Sequence, residues 1–434
     1  MIVVDPKRCA YCGSCVSVCP VGALDLQETR LTVSDACIDC LLCVAACPMG
    51  AISACGGRPS SLAKTHYDVI IVGAGPAGSV TAWEAARLGL SVLLLEKRQE
   101  IGSPVRCAEG ITHSALASFL PPDPRWISAT IRTASIHVVE PTREQEWVPA
   151  QEPAEDAAMG YVLERRVFDR VLAEQAAAAG ARVMVKTAAE GLLRDGQRVV
   201  GVRVRGPSGA MDITARVTVG ADGVESRVGT WAGIDTTLAQ ADLMSCAQYL
   251  MAGVETDPHT TVYYLDQELA PGGYAWIFPK GDGRANVGLG VQAGITEKAP
   301  IELLNRFVDK YPFLSRGSPV TLVSGGVPVG LPPAQIVADG LLLVGDAARQ
   351  VDPLTGGGIA NGMEAGRLAA QVVAEALDAG DTSAKALGRY AELWSAGRGK
   401  DMARNLRLRR RFAPEQRTDE RFLRLFALSI GAAK

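Results

Sequence analysis

A chain of mixed α/β and α+β class is predicted by three features of the sequence. The first is a duplicated cysteine run, Cys9-x2-Cys12-x2-Cys15-x3-Cys19-Pro20 and Cys37-x2-Cys40-x2-Cys43-x3-Cys47-Pro48, which takes eight of the eleven cysteines. The second is an apolar run, Tyr67 to Val72, that breaks into Gly73-x-Gly75-x-x-Gly78 and continues in a helical pattern to Leu88. The third is a stretch of alternating large side chains, Tyr274-Ala-Trp276-Ile-Phe278. Together they predict a small cysteine-clamped domain, a Rossmann-type nucleotide domain, an inserted antiparallel sheet and a helical C-terminus.

Length and composition bound this reading. The 434 residues allow two to three domains, and 48% apolar residues are ample for packed cores. A net charge of −3 supplies no general basic field, so a nucleic-acid role has no electrostatic support. No run approaches about 18 uninterrupted apolar residues, and the start, Met1 to Cys9, lacks the order of a signal peptide. A cytoplasmic protein is expected.

The cysteine runs repeat at a constant offset of 28, and the repeat extends to Pro20-Val-Gly-Ala-Leu24 against Pro48-Met-Gly-Ala-Ile52. Disulfide scaffolds require neither this strict spacing nor a proline after each fourth cysteine, whereas thiolate ligation of iron–sulfur clusters does. Residues 1–58 resemble the bacterial two-cluster ferredoxin, in which the fourth cysteine of each run crosses to the other cluster. The resemblance implies that Cys9, Cys12, Cys15 and Cys47 hold one [4Fe–4S] cluster, and that Cys37, Cys40, Cys43 and Cys19 hold the other. Cys55 is read as a spare thiol, and residues 59–66 as a linker within a Gly-, Pro- and Ser-rich stretch.

In the glycine motif, Gly73 makes a tight turn, Gly75 admits a pyrophosphate and Gly78 lets the helix pack on the sheet. Ala77 lies in the same turn. A second strand, Ser91 to Glu96, ends on an acid 23 residues after Gly73, where it can accept ribose hydroxyls. Downstream, Thr218-Val-Gly-Ala-Asp222-Gly223 and Leu341-Leu-Leu-Val-Gly345-Asp346 each end an apolar run on Asp beside Gly. They resemble the two further flavin signatures of the p-hydroxybenzoate hydroxylase-like superfamily. That resemblance implies FAD, with Asp346 at its ribityl and pyrophosphate region and Asp222 organising its own turn. Gly356, Gly357, Gly358 and Ile359 then open a helix whose N-terminus can stabilise a reduced, anionic flavin.

The segment Glu100-Ile-Gly102-Ser-Pro104-Val-Arg106-Cys107-Ala108-Glu109-Gly110-Ile111 and the segment Pro271-Gly-Gly-Tyr274-Ala-Trp276-Ile-Phe278-Pro279-Lys280 resemble geranylgeranyl reductases. These are flavoenzymes that saturate isoprenoid chains. The resemblance implies that Arg106, Cys107 and Ala108 border the flavin ring, with Cys107 at the reactive face. It places Arg165 and Ala189 near the nucleotide half of FAD. By the same resemblance Tyr274 and Trp276 are candidate catalytic residues; on a strand they and Phe278 share one face. That face is either core or the wall of an isoprenoid tunnel. For the proton, His113, Tyr274 and a bound water are candidates.

The expected domains are the ferredoxin part at 1–58, a discontinuous FAD domain at 67–232 and 320–380, a substrate domain at 233–319 with parts of 105–160, and a helical segment at 381–434. In that last segment, eight arginines and three acids fall between Arg404 and Arg424, interleaved with apolar residues. Two readings stand for it: a solvated helical pair on the core, or a basic surface for peripheral contact with anionic lipid. Arg409-Arg-Arg411 is equally suited to an acidic redox partner.

The expected function is reduction of C=C bonds of a long isoprenoid chain on a lipid or quinone, with electrons supplied through the clusters by an external low-potential donor. The fused cysteine module departs from the plain family pattern, and no second nucleotide motif for a nicotinamide follows. Two other readings are a relative of electron-transfer flavoprotein–quinone oxidoreductases, passing electrons to a membrane quinone, and a non-catalytic wiring module.

Overall fold

The computed structural model describes residues 2–54, 65–140, 142–147, 158–207, 209–412, 416 and 419–431. Cys55 and most of the expected linker lie outside the described residues, and His66 already opens a strand.

The cysteine module folds twice over the same plan. Two short helices, Ser14–Ser17 and Leu42–Ala46, follow left-handed residues at matching positions, Tyr11 and Gly13 against Asp39 and Leu41. The turn bonds repeat too. Val16 N–H donates to Gly13 O and Val44 N–H to Leu41 O, both at 3.0 Å. A two-stranded pair, Ile2–Val4 with Ile52–Ala54, ties the two ends of the module together. Its core is small: Ile2, Leu24, Ile52 and the cysteines themselves. A core of that size needs the clusters as staples.

The nucleotide layer is a sheet of eight strands. His66–Val72, Val92–Leu95, Arg182–Met184, Leu341–Leu343 and the C-terminal half of Gly209–Gly220 run parallel. Val69 to Ile71 and Leu93 to Leu95 are buried on both faces, as a covered parallel sheet requires. The helices Pro76–Arg87 and Ile359–Asp378 cross closely on that sheet, where small residues meet: a Cβ on Gly366 would sit 2.5 Å from the carbonyl oxygen of Ala77.

The second sheet has seven strands in the order Arg143–Trp147, Thr133–Glu140, Thr260–Asp266, Tyr274–Gly281, Arg284–Gln292, Leu243–Ala252 and Ser318–Pro328. Residues 320–328, expected in the nucleotide domain, run in this sheet and pair with Leu243–Ala252. Their edge position leaves Val320 and Leu322 exposed, so no inward-outward alternation marks the strand in the sequence.

The C-terminal region is helical, with helices Ala384–Ala396, Arg398–Arg411 and Glu420–Ser429. The last helix packs Phe422, Leu423, Phe426 and Ala427 onto Tyr263, Trp276 and Phe278 of the second sheet. No helix among the described residues is long and apolar enough to cross a membrane.

The module meets the nucleotide domain through its Asp5–Tyr11 segment. Lys7 pairs with Glu190, Asp5 with Arg205 at 3.8 Å, and Lys186 lies over the Tyr11 ring at 5.5 Å.

Candidate active site and cluster sites

The eight repeated cysteines divide as the ferredoxin resemblance implies. Cys9, Cys12, Cys15 and Cys47 line one small cavity; Cys19, Cys37, Cys40 and Cys43 line another. Among the described residues no three His, Cys, Asp or Glu side chains converge as ligands of a single ion. A cube-shaped cluster needs the other arrangement, four thiolates spaced around a void. Backbone N–H groups already point at the sulfurs: Ala23 N–H donates to Cys19 Sγ and Ala51 N–H to Cys47 Sγ, both at 3.2 Å, and Tyr11 N–H to Cys9 Sγ at 3.4 Å. Such bonds orient the ligands and help to set a cluster's potential. The donor set and the voids fit two [4Fe–4S] clusters.

A cavity of about 730 Å³ runs from the glycine motif to the second sheet. At one end lie Gly73, Gly75, Ala77 and Glu96. Gly73 has φ +108°, and a Cβ there would sit 2.3 Å from the carbonyl oxygen of Ala221; a Cβ on Gly78 would sit 1.9 Å from the carbonyl oxygen of Gly73. Glu96 accepts from Ala74 N–H at 3.1 Å and Arg98 N–H at 2.9 Å. These bonds aim its carboxylate along the turn and leave lone pairs for a ribose. Ala189 borders the same end.

Further along, Asp222 Oδ2 accepts Val228 N–H at 3.0 Å, as expected of a turn organiser, while its buried Oδ1 has no partner. Burial pushes the Asp222 and Asp346 carboxyls up from the ordinary carboxylate range. Gly356, Gly357, Gly358 and Ile359 line the cavity at the start of a 20-residue helix. A backbone cradle and an orphaned buried carboxylate oxygen are what the pyrophosphate and hydroxyl groups of FAD would fill.

Cys107 and Ala108 line the same cavity as Tyr274, Trp276 and Phe278, and Arg106 lines it within electrostatic reach of Arg98 and Glu225. The aromatic face is therefore a cavity wall. Tyr263 and Phe426 extend it, with ring centroids 5.3 to 5.6 Å from neighbours in edge-on contacts. Tyr274 donates to the carbonyl of Thr355, directly before the glycine run. Its phenol is pushed well above the ordinary value by burial, so it stays neutral. Burial also raises the Cys107 thiol, opposed by the nearby Arg165 guanidinium and the Glu109 N–H at 3.2 Å.

Arg165 lines the same cavity as Ala189; its guanidinium grips Asp169 at 2.7 and 2.8 Å and lies within electrostatic reach of both the Cys107 thiol and the Asp346 carboxyl. Glu109 accepts the Arg165 N–H at 2.8 Å and draws the start of that helix to the loop. His113 turns to the Tyr161 hydroxyl at 2.8 Å and lies outside the cavity lining.

Several residues here carry no motif. Cys246 also lines the cavity, its thiol pushed up to about 12 by burial. Arg409, read above as part of a surface run, is buried and lowered to about 10 by that burial; it donates to the carbonyl of Pro353 at 2.9 Å. Only its neighbours Arg410 and Arg411 are exposed. Gln248, Glu109, Lys280 and Asn286 form a buried polar frame under Cys107. A polar residue within an apolar strand, as at Gln248 and Asn286, was the available signal.

Comparison with known proteins agrees with this geometry. Residues 1–48 match a 4Fe-4S dicluster domain, residues 68–277 an FAD dependent oxidoreductase domain and residues 242–327 a geranylgeranyl reductase catalytic domain. The chain is 49% identical over 346 residues to a digeranylgeranylglycerophospholipid reductase of Methanothrix thermoacetophila, covering 80% of this chain and 87% of that protein. A second such reductase, of Methanococcoides burtonii, is 46% identical over 79% of this chain and 83% of its own length. Among solved structures, a geranylgeranyl bacteriochlorophyll reductase-like protein from Thermoplasma acidophilum superposes with a TM-score of 0.75 at 40% identity, covering 80% of this chain and 87% of that one. A flavin-dependent brominase, 21% identical over 85% of this chain and 94% of its own, with a TM-score of 0.66, shares the fold.

Proposed function

Because the chain belongs to the geranylgeranyl reductase family, we propose that its substrate is an isoprenoid glycerophospholipid of the kind named in its archaeal relatives. The protein is an FAD-dependent oxidoreductase with two [4Fe–4S] clusters that reduces isoprenoid chains. The observation that carries the substrate reading is the continuity of one cavity from the nucleotide cradle to the aromatic wall of Tyr263, Tyr274, Trp276, Phe278 and Phe426. FAD, when bound, supplies hydride from its reduced ring, and the clusters supply electrons singly.

The chain's own residues do the rest. An isolated alkene has no polar handle, so its carbon atoms are placed by shape, and the rings hold the chain in a dry, rigid slot. The Cys107 loop closes the slot opposite Tyr274. The Tyr274 proton is committed to Thr355, and His113 is turned away, which leaves the neutral Cys107 thiol or a water beside it to carry the proton to the second alkene carbon.

The test is anaerobic. Dithionite-reduced enzyme is offered digeranylgeranylglyceryl phospholipid or a quinone, and lipid masses are followed. A gain of two mass units per double bond is expected; quinone reduction with an unchanged lipid would overturn the reading in favour of quinone oxidoreductase chemistry. Tyr274→Phe is expected to retain FAD but to lower turnover about tenfold, the worth of one well-placed hydrogen bond, in steady-state kinetics.

The electron source is an external low-potential donor that reaches the clusters from outside. Peripheral membrane contact is assigned to the outer face of the C-terminal helices, where Arg404, Arg407, Arg410, Arg411, Arg421 and Arg424 are exposed. Cosedimentation with vesicles containing anionic lipid is expected, weakening with salt and with Arg407, Arg411 and Arg421 changed to Glu.

A further inference from the structure

Immediately after Cys107 and Ala108 the backbone enters a conformation that ordinary residues avoid. Glu109 has φ +75°, in the left-handed region, and such strain persists only where the surroundings over-determine it. Here they do. Glu109 Oε1 accepts the Arg165 N–H at 2.8 Å, and Oε2 accepts Lys280 Nζ at 2.6 Å and Asn286 Nδ2 at 2.8 Å. The Glu109 carbonyl accepts Leu163 N–H at 2.9 Å. The paired side chains of Lys280 and Glu109 are only 2% and 4% exposed. Lys280 also donates to Leu163 O at 2.6 Å and pairs with Glu164 at 3.2 Å.

Two more bonds run from the same sheet to the same loop. Asn286 Nδ2 reaches Ala108 O at 3.2 Å, and Gln248 Nε2 donates to Cys107 O at 3.1 Å. Gln248 is itself held, since its Oε1 accepts Trp276 Nε1–H at 2.9 Å. The Glu109 N–H closes the arrangement on the thiol, 3.2 Å from Cys107 Sγ. A buried ion pair is a poor source of stability, because apolar groups of the same volume do as well. What it provides at this place is one geometry for a strained turn.

We infer that Glu109, gripped by Lys280 and Asn286, and Gln248, gripped by Trp276, are positioning residues that lock the Cys107 loop to the substrate sheet. The wall that receives the isoprenoid and the loop that faces the flavin then move as one body. A chain that presses on Trp276 is felt at Cys107 through a single side chain. The inference rests on the reading that Cys107 borders the reacting ring, but its decisive measurement needs no turnover.

The experiment uses holoenzyme variants E109Q/K280M, Q248L and Q248E. The double change removes both charges together, because E109Q alone strands a buried ammonium and is prone to misfold. Q248E keeps an acceptor for Trp276 and loses the donor to Cys107. Three quantities are read: FAD per chain, the rate of Cys107 alkylation by iodoacetamide followed by peptide mass spectrometry, and kcat and KM for the isoprenoid lipid. Locking predicts full FAD content, Cys107 alkylation faster by about tenfold, and kcat lower by about tenfold with KM within about twofold, for all three variants. Unchanged alkylation and kcat overturn the inference, as does a loss of kcat that only tracks loss of FAD. If E109Q/K280M does not fold, the Gln248 variants decide. Should the wild-type enzyme leave the lipid unreduced, the function reading fails and the alkylation rates still judge the lock.

Discussion

Gly78→Ala is expected to yield protein without its yellow cofactor. A Cβ at this position would sit 1.9 Å from the carbonyl oxygen of Gly73 and 3.0 Å from the Ala221 side chain. The first of these is backbone of the phosphate turn itself, so no side-chain rotation relieves it. The helix Pro76–Arg87 must move off the sheet, at a cost toward the upper end of the roughly 1–3 kcal/mol usual for overpacking. Movement of that helix takes its N-terminal N–H groups away from the pyrophosphate they should meet. FAD affinity, read as the Kd when the apoprotein is titrated with FAD, is expected to weaken about tenfold or more, the change that about 1.4 kcal/mol entails, and flavin absorbance after purification to fall with it. Full flavin content with an unchanged melting temperature would refute the crowding argument. Gly388, in the helix Ala384–Ala396 and outside the cavity lining, meets nothing within 4 Å, so its Ala variant is the control.

The second large effect concerns Cys47, which belongs to the second cysteine run in the sequence and to the first cluster in space. Cys47→Ser is expected to remove about half of the roughly eight irons of two [4Fe–4S] clusters. Pairing it with a second substitution separates the crossed arrangement from an uncrossed one. With Cys15→Ala, which lines the same cavity as Cys47, about four irons should remain, since both changes strike one cluster. Adding Cys43→Ala instead, from the other cavity, should leave almost none. Iron analysis under anaerobic conditions reads both outcomes, and the reverse pattern would mean that each run ligates its own cluster. Stability should follow the iron, because the module's apolar core is little more than Ile2, Leu24 and Ile52 around the sulfurs.

How much of this was legible beforehand depended on distance along the chain. The ligand spacing, the strand–turn–helix at Gly73 to Gly78 and the Asp-beside-Gly strand ends are patterns within a few residues, and the structure places them as read. The alternation of Tyr274, Trp276 and Phe278 was legible as a shared face, but not as a cavity wall. That outcome needed Phe422 and Phe426, from a helix about 150 residues later, to extend the same wall. Arg165 was placed by the family resemblance near the nucleotide half. What no local pattern showed is that a carboxylate 56 residues upstream, Glu109, holds its N–H and that its guanidinium reaches both Cys107 and Asp346.

The sequence by itself determined the chemistry of this protein: which cofactors, in what order along the chain, and therefore which class of reaction. Thiolate spacing and glycine turns are short-range requirements of the groups they bind, so contiguous residues carry them. Only the tertiary structure decided how the reactive loop is held. The grip of Lys280 on Glu109 joins residues 171 apart, and Arg409 leaves its arginine run to become a buried cavity residue. Whether a charge faces water or a buried partner is settled by what packs above it, and that is a property of the folded chain.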